Sequence, residues 1–163
     1  MAVVPGYKIA ELLTKIGNKI SSSQIQPAGL DLTLSAVFTF EGEGAIGLEE
    51  VTLPSYQELE PSEDGFYRLS EGAYKIRFNE IVEVPNDCIG IAFPRSSLLR
   101  MGATINLAVW DPGYKGRGEA LLLVFNEKSI QLRKGARVAQ IVFIKLLEKP
   151  SQAYRGRYQY ENI

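Results

Sequence analysis

The sequence predicts an all-β domain, a sandwich or a barrel, preceded by one short N-terminal helix. Short segments rich in β-branched and aromatic residues recur between Gly, Pro, Asn and Asp, which is the pattern of strands joined by turns. No helix-length periodic pattern interrupts them after residue 20, so alternating strand and helix units are not expected. With 163 residues the chain is long enough for one domain with a substantial core. The predicted strands span residues 30–40, 72–77, 80–84, 89–93, 120–125, 129–132 and 136–147.

The helical pattern lies at the start of the chain, over about residues 7–20. Apolar residues recur there with the spacing of one helix face, at Ile9, Leu12, Leu13, Ile16 and Ile20. Gly17 and Asn18 weaken the last turn, so the helix is expected to end near them.

Two segments stand outside this pattern. Residues 41–64 are rich in Glu among Gly, Pro and Ser, which predicts a solvated connection between strands. Residues 150–163 are polar and aromatic and too short to pack as an element of their own, so they either fray or fold over a ligand. The chain is therefore divided into a β domain, residues 1–149, and a C-terminal tail, residues 150–163, which is a candidate active-site lid.

Composition excludes several classes of chemistry. The net charge is −1, so no general basic field exists to hold a long nucleic acid. The chain has no histidine, which excludes Ser-His-Asp catalysis and histidine-ligated zinc. Its single cysteine, Cys88, cannot form an internal disulfide and cannot supply the ligands of a zinc nucleobase deaminase.

The expected location is the cytoplasm. No apolar stretch approaches the roughly 20 residues of a membrane span, and residues 1–6 lack the apolar core of a signal peptide. A single cysteine agrees with a reducing compartment. We expect neither membrane nor nucleic acid as a partner, and chemistry that depends on carboxylates, hydroxyls, arginines and a recruited metal.

The most informative segment is residues 94–119. Arg95, Ser96, Ser97 and Arg100 place two guanidiniums and two hydroxyls close together, and these groups bind phosphate oxygens well. Asp111 follows on a turn held by Pro and Gly, between the aromatic residues Trp110 and Tyr114. This combination suits a phosphorylated, ring-bearing substrate and a water that needs a base.

Two further polar residues lie in predicted strands. Asp31 lies between Leu30 and Leu32, so it points away from their face, where it is solvated, caps a turn or faces a site. Gln140 lies in the apolar run 136–147, and a bulge in that strand decides which face it uses.

In this order the segments resemble the dUTPase and dCTP deaminase superfamily over nearly the whole chain. The matching segments are residues 25–32 (IQPAGLDL), 94–100 (PRSSLLR), 111–119 (DPGYKGRGE) and 137–143 (RVAQIVF), of which the second and third are the most specific. The N-terminal helix is closer to the deaminase branch than to the small trimeric dUTPases. The resemblance implies a distorted β-barrel or jelly-roll-like subunit (the dUTPase-like β-clip), assembled as a homotrimer with active sites between subunits. It also implies Mg²⁺ bound through the triphosphate.

One position distinguishes the activities within this superfamily. The deaminases resembled here use a glutamate three residues before an asparagine, on the strand after the third segment. Counting back from Asn126 gives Leu123, and leucine cannot move a proton. The predicted activity is therefore dUTP diphosphatase, giving dUMP and pyrophosphate. The alternatives are dCTP deamination, for which Glu119 is the only nearby acid, and a nucleotide-binding homologue without catalysis.

The resemblance also implies roles for individual residues. Asp111 is the general base for the attacking water, and Asp31 holds waters of the metal. Arg100 is either a phosphate ligand or a brace beside Asp111. The implied substrate contacts are Arg95, Ser96 and Ser97 to phosphates, Tyr114 to deoxyribose, Gln140 to phosphate or sugar, Asn106 to the base, and Arg157 and Gln159 from the tail. Residues 101–110 are shorter than the usual base-reading hairpin, so uracil, cytosine and other bases all stay open as the base recognised.

Overall fold

A computed structural model of the chain describes residues 2–163 and confirms the predicted all-β architecture. The helices among these residues are α1 (Gly6–Lys15), a 3-10 turn (Ser22–Gln24) and α2 (Ser96–Arg100). The strands are β1 (Ile25–Gln26), β2 (Gly29–Glu41), β3 (Ala45–Ile46), β4 (Val51–Thr52), β5 (Ser55–Glu58), β6 (Phe66–Leu69), β7 (Gly72–Phe78), β8 (Val82–Glu83), β9 (Cys88–Pro94), β10 (Ala103–Asn106), β11 (Lys115–Gly116), β12 (Glu119–Val124), β13 (Ile130–Arg133) and β14 (Arg137–Lys145).

The main sheet is antiparallel, in the order β10-β12-β7-β2-β14-β9. Its two edge strands, β10 and β9, approach each other, so the sheet is a nearly closed barrel. Strands β1 and β5 add to β2, while β11/β8, β13/β6 and β3/β4 form two-stranded ribbons. The long strand β2 lies at the centre of this arrangement, and it carries Asp31.

Helix α1 ends earlier than the spacing of its apolar residues predicted. It stops at Lys15, short of residue 20 but close to the stop that Gly17 and Asn18 predicted, because Gly17 takes a left-handed conformation (φ 99°) and Asn18 caps the carbonyl of Leu13. The Asn18 amide donates to the carbonyls of Leu13 and Ile81 at 2.9 and 2.8 Å. Ile20 still packs against the core, but from the segment after the helix.

The prediction of β structure throughout residues 21–149 is wrong at α2. The backbone amides of Leu98 and Leu99 both donate to the carbonyl of Arg95, at 2.9 and 3.3 Å, and Leu98 is buried in the core. Five residues are too few to show helical periodicity in a sequence. The segment 41–64, predicted as a solvated connection between strands, also contains the three short strands β3, β4 and β5. No helix within residues 2–163 is long and apolar enough to span a bilayer.

Candidate active site

The first group of site residues surrounds Asp31. Its side chain is 1% exposed, and Oδ2 lies 2.8 Å from Arg95 Nη1 and 3.3 Å from Arg137 Nη1. Gln26 Nε2 donates to the same oxygen at 3.0 Å. Burial raises the pKa of the Asp31 carboxyl, and the two arginines oppose that rise. Oδ1 is buried and has no hydrogen-bond partner within residues 2–163, so this carboxylate has one acceptor still open.

Sheet register assembles this group. Gln140 of β14 is paired directly with Asp31 on one side and with Phe93 on the other. A register shift between Arg137 and Ala139 marks a bulge in β14, which is the feature that the direction of Gln140 depends on. Gln140 is half-buried and lies over Gly29, where an added Cβ would be 2.7 Å from its Nε2.

A buried polar network holds the backbone around Asp31. Gln24 Nε2 donates to the carbonyl of Asp31 at 3.0 Å and to Glu80 Oε1 at 2.8 Å. Glu80 also accepts the backbone amide of Thr33 at 2.8 Å and the Thr33 hydroxyl at 2.7 Å. Gln24 and Glu80 are 5% and 6% exposed, so buried hydrogen bonds fix the strand at Asp31 and at Thr33.

The predicted phosphate-binding residues lie at and on α2. Ser96, Ser97 and Arg100 are exposed, and Arg95, which precedes the helix, is half-buried against Asp31. Arg100 Nη1 makes one hydrogen bond, to the carbonyl of Ser96 at 3.4 Å. No ion pair joins Arg100 to Asp111 in the described part of the chain, so nothing in this chain supports the brace alternative.

The second group of site residues surrounds Asp111. Trp110 exchanges both backbone hydrogen bonds with Gly90, at 2.8 and 2.9 Å, and this bridge fixes the start of the turn. The amide of Tyr114 closes the turn by donating to the carbonyl of Asp111 at 3.0 Å. Trp110 and Tyr114 are buried and their rings are stacked, 5.6 Å apart and parallel. Asp111 itself is exposed and is not in an ion pair within residues 2–163.

A cavity of about 420 Å³ opens beside this turn, which is a volume typical of small-ligand sites. Asn106, Asp111 and Tyr114, three of the candidate site residues, are among its lining residues, and its walls are largely apolar. Its complete lining is Phe40, Leu53, Tyr56, Lys75, residues 106–111, Tyr114, Glu119, Ala120, Leu121, Tyr154, Tyr158 and Glu161.

The charged side chains on one wall of the cavity form ion pairs with one another. Glu119 Oε1 and Oε2 lie 3.0 and 2.9 Å from Lys75 Nζ, and Arg77 Nη2 lies 3.0 Å from Oε1. Lys75 Nζ also lies 3.8 Å from the centre of the Tyr56 ring, a cation–π arrangement. Both oxygens of Glu119 are therefore occupied, and Leu123, two residues beyond Leu121 on the same strand face, offers no replacement acid.

The tail is docked onto the Asp111 turn. The amide of Tyr154 donates to the carbonyl of Pro112 at 2.8 Å. Gln159 donates to the carbonyl of Gly113 and accepts the amide of Lys115, both at 3.0 Å. Arg157 makes only a 3.5 Å hydrogen bond to the carbonyl of Val51.

Docking of the tail changes what Tyr114 offers to a ligand. The ring is 2% exposed, with Trp110 stacked on it and Tyr154 edge-on at 6.0 Å. Its hydroxyl donates to Glu161 Oε1 at 2.7 Å. Burial raises the pKa of this tyrosine most, and the hydrogen bond to Glu161 raises it further. The sequence interpretation, in which the ring of Tyr114 faces deoxyribose, therefore requires the tail to move.

The structure thus separates the predicted residues into two groups. Asp31, Arg95 and Gln140 lie together, while Asn106, Asp111 and Tyr114 line the cavity. No hydrogen bond or ion pair within residues 2–163 links a member of one group to a member of the other. Sequence reasoning did not assign a role to Arg137, Gln26, Lys75 or Glu161. Arg137 and Gln26 had a usable signal, since each lies in one of the four segments that carry the family resemblance.

Comparisons with known proteins agree on one family. The family model described as dCTP deaminase-like matches residues 3–146. A probable deoxyuridine 5'-triphosphate nucleotidohydrolase of Methanosarcina mazei is 46% identical, over 87% of this chain and 84% of that protein. The probable nucleotidohydrolase of Aeropyrum pernix is 43% identical, over 88% and 89%. The deoxyuridine 5'-triphosphate nucleotidohydrolase of Methanocaldococcus jannaschii is 43% identical, over 87% and 91%.

The fold is also found in a solved structure. The crystal structure of 2'-deoxycytidine 5'-triphosphate deaminase from Agrobacterium tumefaciens superposes with a TM-score of 0.67 at 20% identity. The match covers 86% of this chain and 47% of the deaminase. At this identity the likeness concerns the fold.

Proposed function

The chain belongs to the dCTP deaminase-like family, and on that premise we propose that it hydrolyses dUTP to dUMP and pyrophosphate. The observation that carries the proposal is Asp111, an exposed carboxylate without an ion-pair partner in the described chain, at the edge of a cavity of nucleoside size. The relatives at 43–46% identity, which are named for this activity, support it.

The proposed reaction needs one base and a set of phosphate ligands. Asp111 takes a proton from a water, the water oxygen bonds to the α-phosphorus, and the bond from that phosphorus to the bridging oxygen breaks. Pyrophosphate leaves with the electron pair. The exposed hydroxyls of Ser96 and Ser97 and the guanidinium of Arg100 are free to bind phosphate oxygens, while Arg95 is oriented by Asp31.

The residues present fit a metal ion that arrives on the triphosphate. No group of three or more acidic, histidine or cysteine side chains within residues 2–163 forms a protein metal site, but Mg²⁺ keeps much of its water shell and needs one or two carboxylates. The open Oδ1 of Asp31 is an acceptor for such a water. Bound there, Mg²⁺ would neutralise charge on the phosphates. The neighbouring arginines hold Asp31 in place.

A homotrimer with shared sites explains why the two groups are separate in one chain. One face of β9 carries every second residue, Ile89, Ile91 and Phe93. Val142 and Ile144 of β14 lie beside them on the same face of the sheet. These apolar side chains are exposed or half-exposed and continue directly from Gln140. We propose that a second copy of the chain covers this face and brings its Asp111 group to the Asp31 group. A monomer in sedimentation at working concentration would contradict this assembly.

Deamination of dCTP is the weaker candidate. It needs an acid near the base, and Leu123 cannot serve. Glu119, the only nearby alternative, has both oxygens bound by Lys75 and one of them also by Arg77. A base in that state would first have to break an ion pair.

Product analysis with dUTP and dCTP tests the proposal. Wild-type protein with Mg²⁺ is expected to release pyrophosphate and dUMP from dUTP, and no ammonia from dCTP. Asp111→Asn should still bind dUTP but lose most hydrolysis, because an amide cannot take the proton. Asp64→Asn, which changes an exposed carboxylate outside the cavity, is the matched control and should keep wild-type turnover. Wild-type turnover in Asp111→Asn would remove Asp111 as the base, and ammonia from dCTP would overturn the proposed activity.

A further inference from the structure

Most polar groups that line the cavity already have partners. Glu119 and Lys75 are paired with each other, and Lys75 is also enclosed by the rings of Phe38 and Tyr56. The Tyr114 hydroxyl donates to Glu161. A base that enters this cavity therefore meets few side-chain atoms that are free to form a new hydrogen bond.

Glu161 is one of those few. Its Oε1 accepts the Tyr114 hydroxyl at 2.7 Å, whereas its Oε2 makes no hydrogen bond with any described residue. The backbone of Glu161 is held at both ends, because Arg117 donates to its carbonyl at 2.9 Å and its own amide donates to Tyr158 at 3.2 Å. Glu161 is half-buried and close to Gly116, where an added Cβ would lie 3.0 Å from its Cγ. The open oxygen is thus part of an ordered wall.

We propose that Glu161 determines base specificity, with its open Oε2 accepting a hydrogen bond from N3–H of uracil. Uracil carries a proton at N3, whereas cytosine presents a bare acceptor there, so a carboxylate at this place favours uracil and repels cytosine. This inference rests on the proposed dUTP hydrolysis. It assigns the discrimination between uracil and cytosine to the tail, because the short segment 101–110 does not account for that discrimination on its own.

The electrostatics of the cavity are compatible with this role. Burial raises the pKa of Glu161 and Glu119 adds to that rise, while the Tyr114 hydroxyl, Lys75 and Arg77 lower it. The two acids and the two bases of this wall balance in charge. Asp111, which also lines the cavity and has no ion-pair partner among residues 2–163, adds one negative charge, and the open oxygen of Glu161 is an acceptor in the wall for a neutral pyrimidine.

The test compares hydrolysis of dUTP and dCTP to their monophosphates by wild type, Glu161→Gln and Glu161→Ala. Since a hydrogen bond to a charged group contributes about 1.5–3 kcal/mol, the kcat/KM ratio of dUTP to dCTP should fall roughly 10- to 100-fold in both variants. Glu127→Gln changes an exposed acid outside the cavity and should keep the wild-type ratio.

A purely structural role of Glu161 in docking the tail has a different signature. Tyr114→Phe removes the same docking hydrogen bond but leaves the carboxylate in the wall, so its rates should fall for both nucleotides while their ratio stays. If the Glu161 variants also lose rate on both nucleotides without a change in ratio, the specificity role is overturned. Failure of wild-type protein to release pyrophosphate from dUTP would instead overturn the proposed function itself.

Discussion

Replacement of Glu80 by glutamine is expected to destabilise the fold although the side chain keeps its size. Three donors converge on this buried carboxylate: Gln24 Nε2, the amide of Thr33 and the hydroxyl of Thr33, at 2.7–2.8 Å. A carboxylate accepts all three, whereas an amide has only one acceptor oxygen. In either orientation the NH₂ group of the new side chain faces a donor.

The size of the effect follows from the number of donors left without an acceptor. With the amide nitrogen at the Oε2 position, the backbone amide of Thr33 loses its partner. With the nitrogen at the Oε1 position, Gln24 loses its partner unless it turns over and gives up its bond to the carbonyl of Asp31. An unsatisfied buried group costs about 1–3 kcal/mol and lost bonds to a charged group add to this, so we expect a loss of about 2–3 kcal/mol. That loss corresponds to a fall in Tm of roughly 4–12 °C.

Denaturant unfolding at one fixed protein concentration measures this loss, since assembly would make stability depend on concentration. Glu83→Gln is the matched control, because Glu83 pairs with Lys115 at 3.0 Å on the surface, with its side chain 45% exposed, and such pairs contribute at most about 1 kcal/mol. In a double-mutant cycle, Thr33→Val should couple to Glu80→Gln by about 0.5 kcal/mol or more. A Glu80→Gln protein within about 0.5 kcal/mol of wild type would refute the reasoning.

Three further outcomes are expected. Gly118→Ala places a Cβ on the buried indole of Trp110, so thermal denaturation should show a loss of about 1–3 kcal/mol and assays a slower dUTP hydrolysis; an unchanged Tm would contradict this. Burial raises the pKa of Glu161 above its ordinary 4.5, so the folded state binds the proton of this carboxyl more tightly than the unfolded state does. The Tm of wild type, relative to that of Glu161→Gln, should therefore fall as pH rises from about 4.5 through the raised pKa. A Tm difference that does not depend on pH would contradict this. Removal of residues 150–163 takes away the part of the cavity wall that the tail forms, including Glu161, so turnover should fall while sedimentation shows unchanged assembly, and equal activity would exclude a role of the tail in catalysis.

Local signals predicted the larger elements well and their ends less well. The segments rich in β-branched residues became β2, β7, β9, β12 and β14. For α1, Gly17 and Asn18 carried the correct stop signal, whereas Ile20 extended the periodic pattern because it also packs on the core, from outside the helix. Apolar spacing reports burial, and burial continues past the end of an element.

Candidate site residues could be named from the sequence, and their roles stay predictions, whereas their arrangement in space could not be predicted. The family resemblance, now confirmed, identified Asp31, Arg95 and Asp111 in order along the chain. It did not identify Arg137 as the second arginine on Asp31, because that contact depends on strand register and on one bulge. The cover of Tyr114 by the tail depends on contacts between residues 47 positions apart, which leave no local pattern in a sequence.

The position of Trp110 gives the protein an internal optical probe. The chain contains a single tryptophan, and it is buried one residue before Asp111 with its ring stacked on Tyr114. Indole emission depends on contact with water and on neighbouring rings, so the fluorescence of the unlabelled protein reports on this turn alone. Arrival of a nucleotide in the cavity, or release of the tail from Tyr114, would each alter that emission, and stopped-flow mixing would time the two events without any added dye.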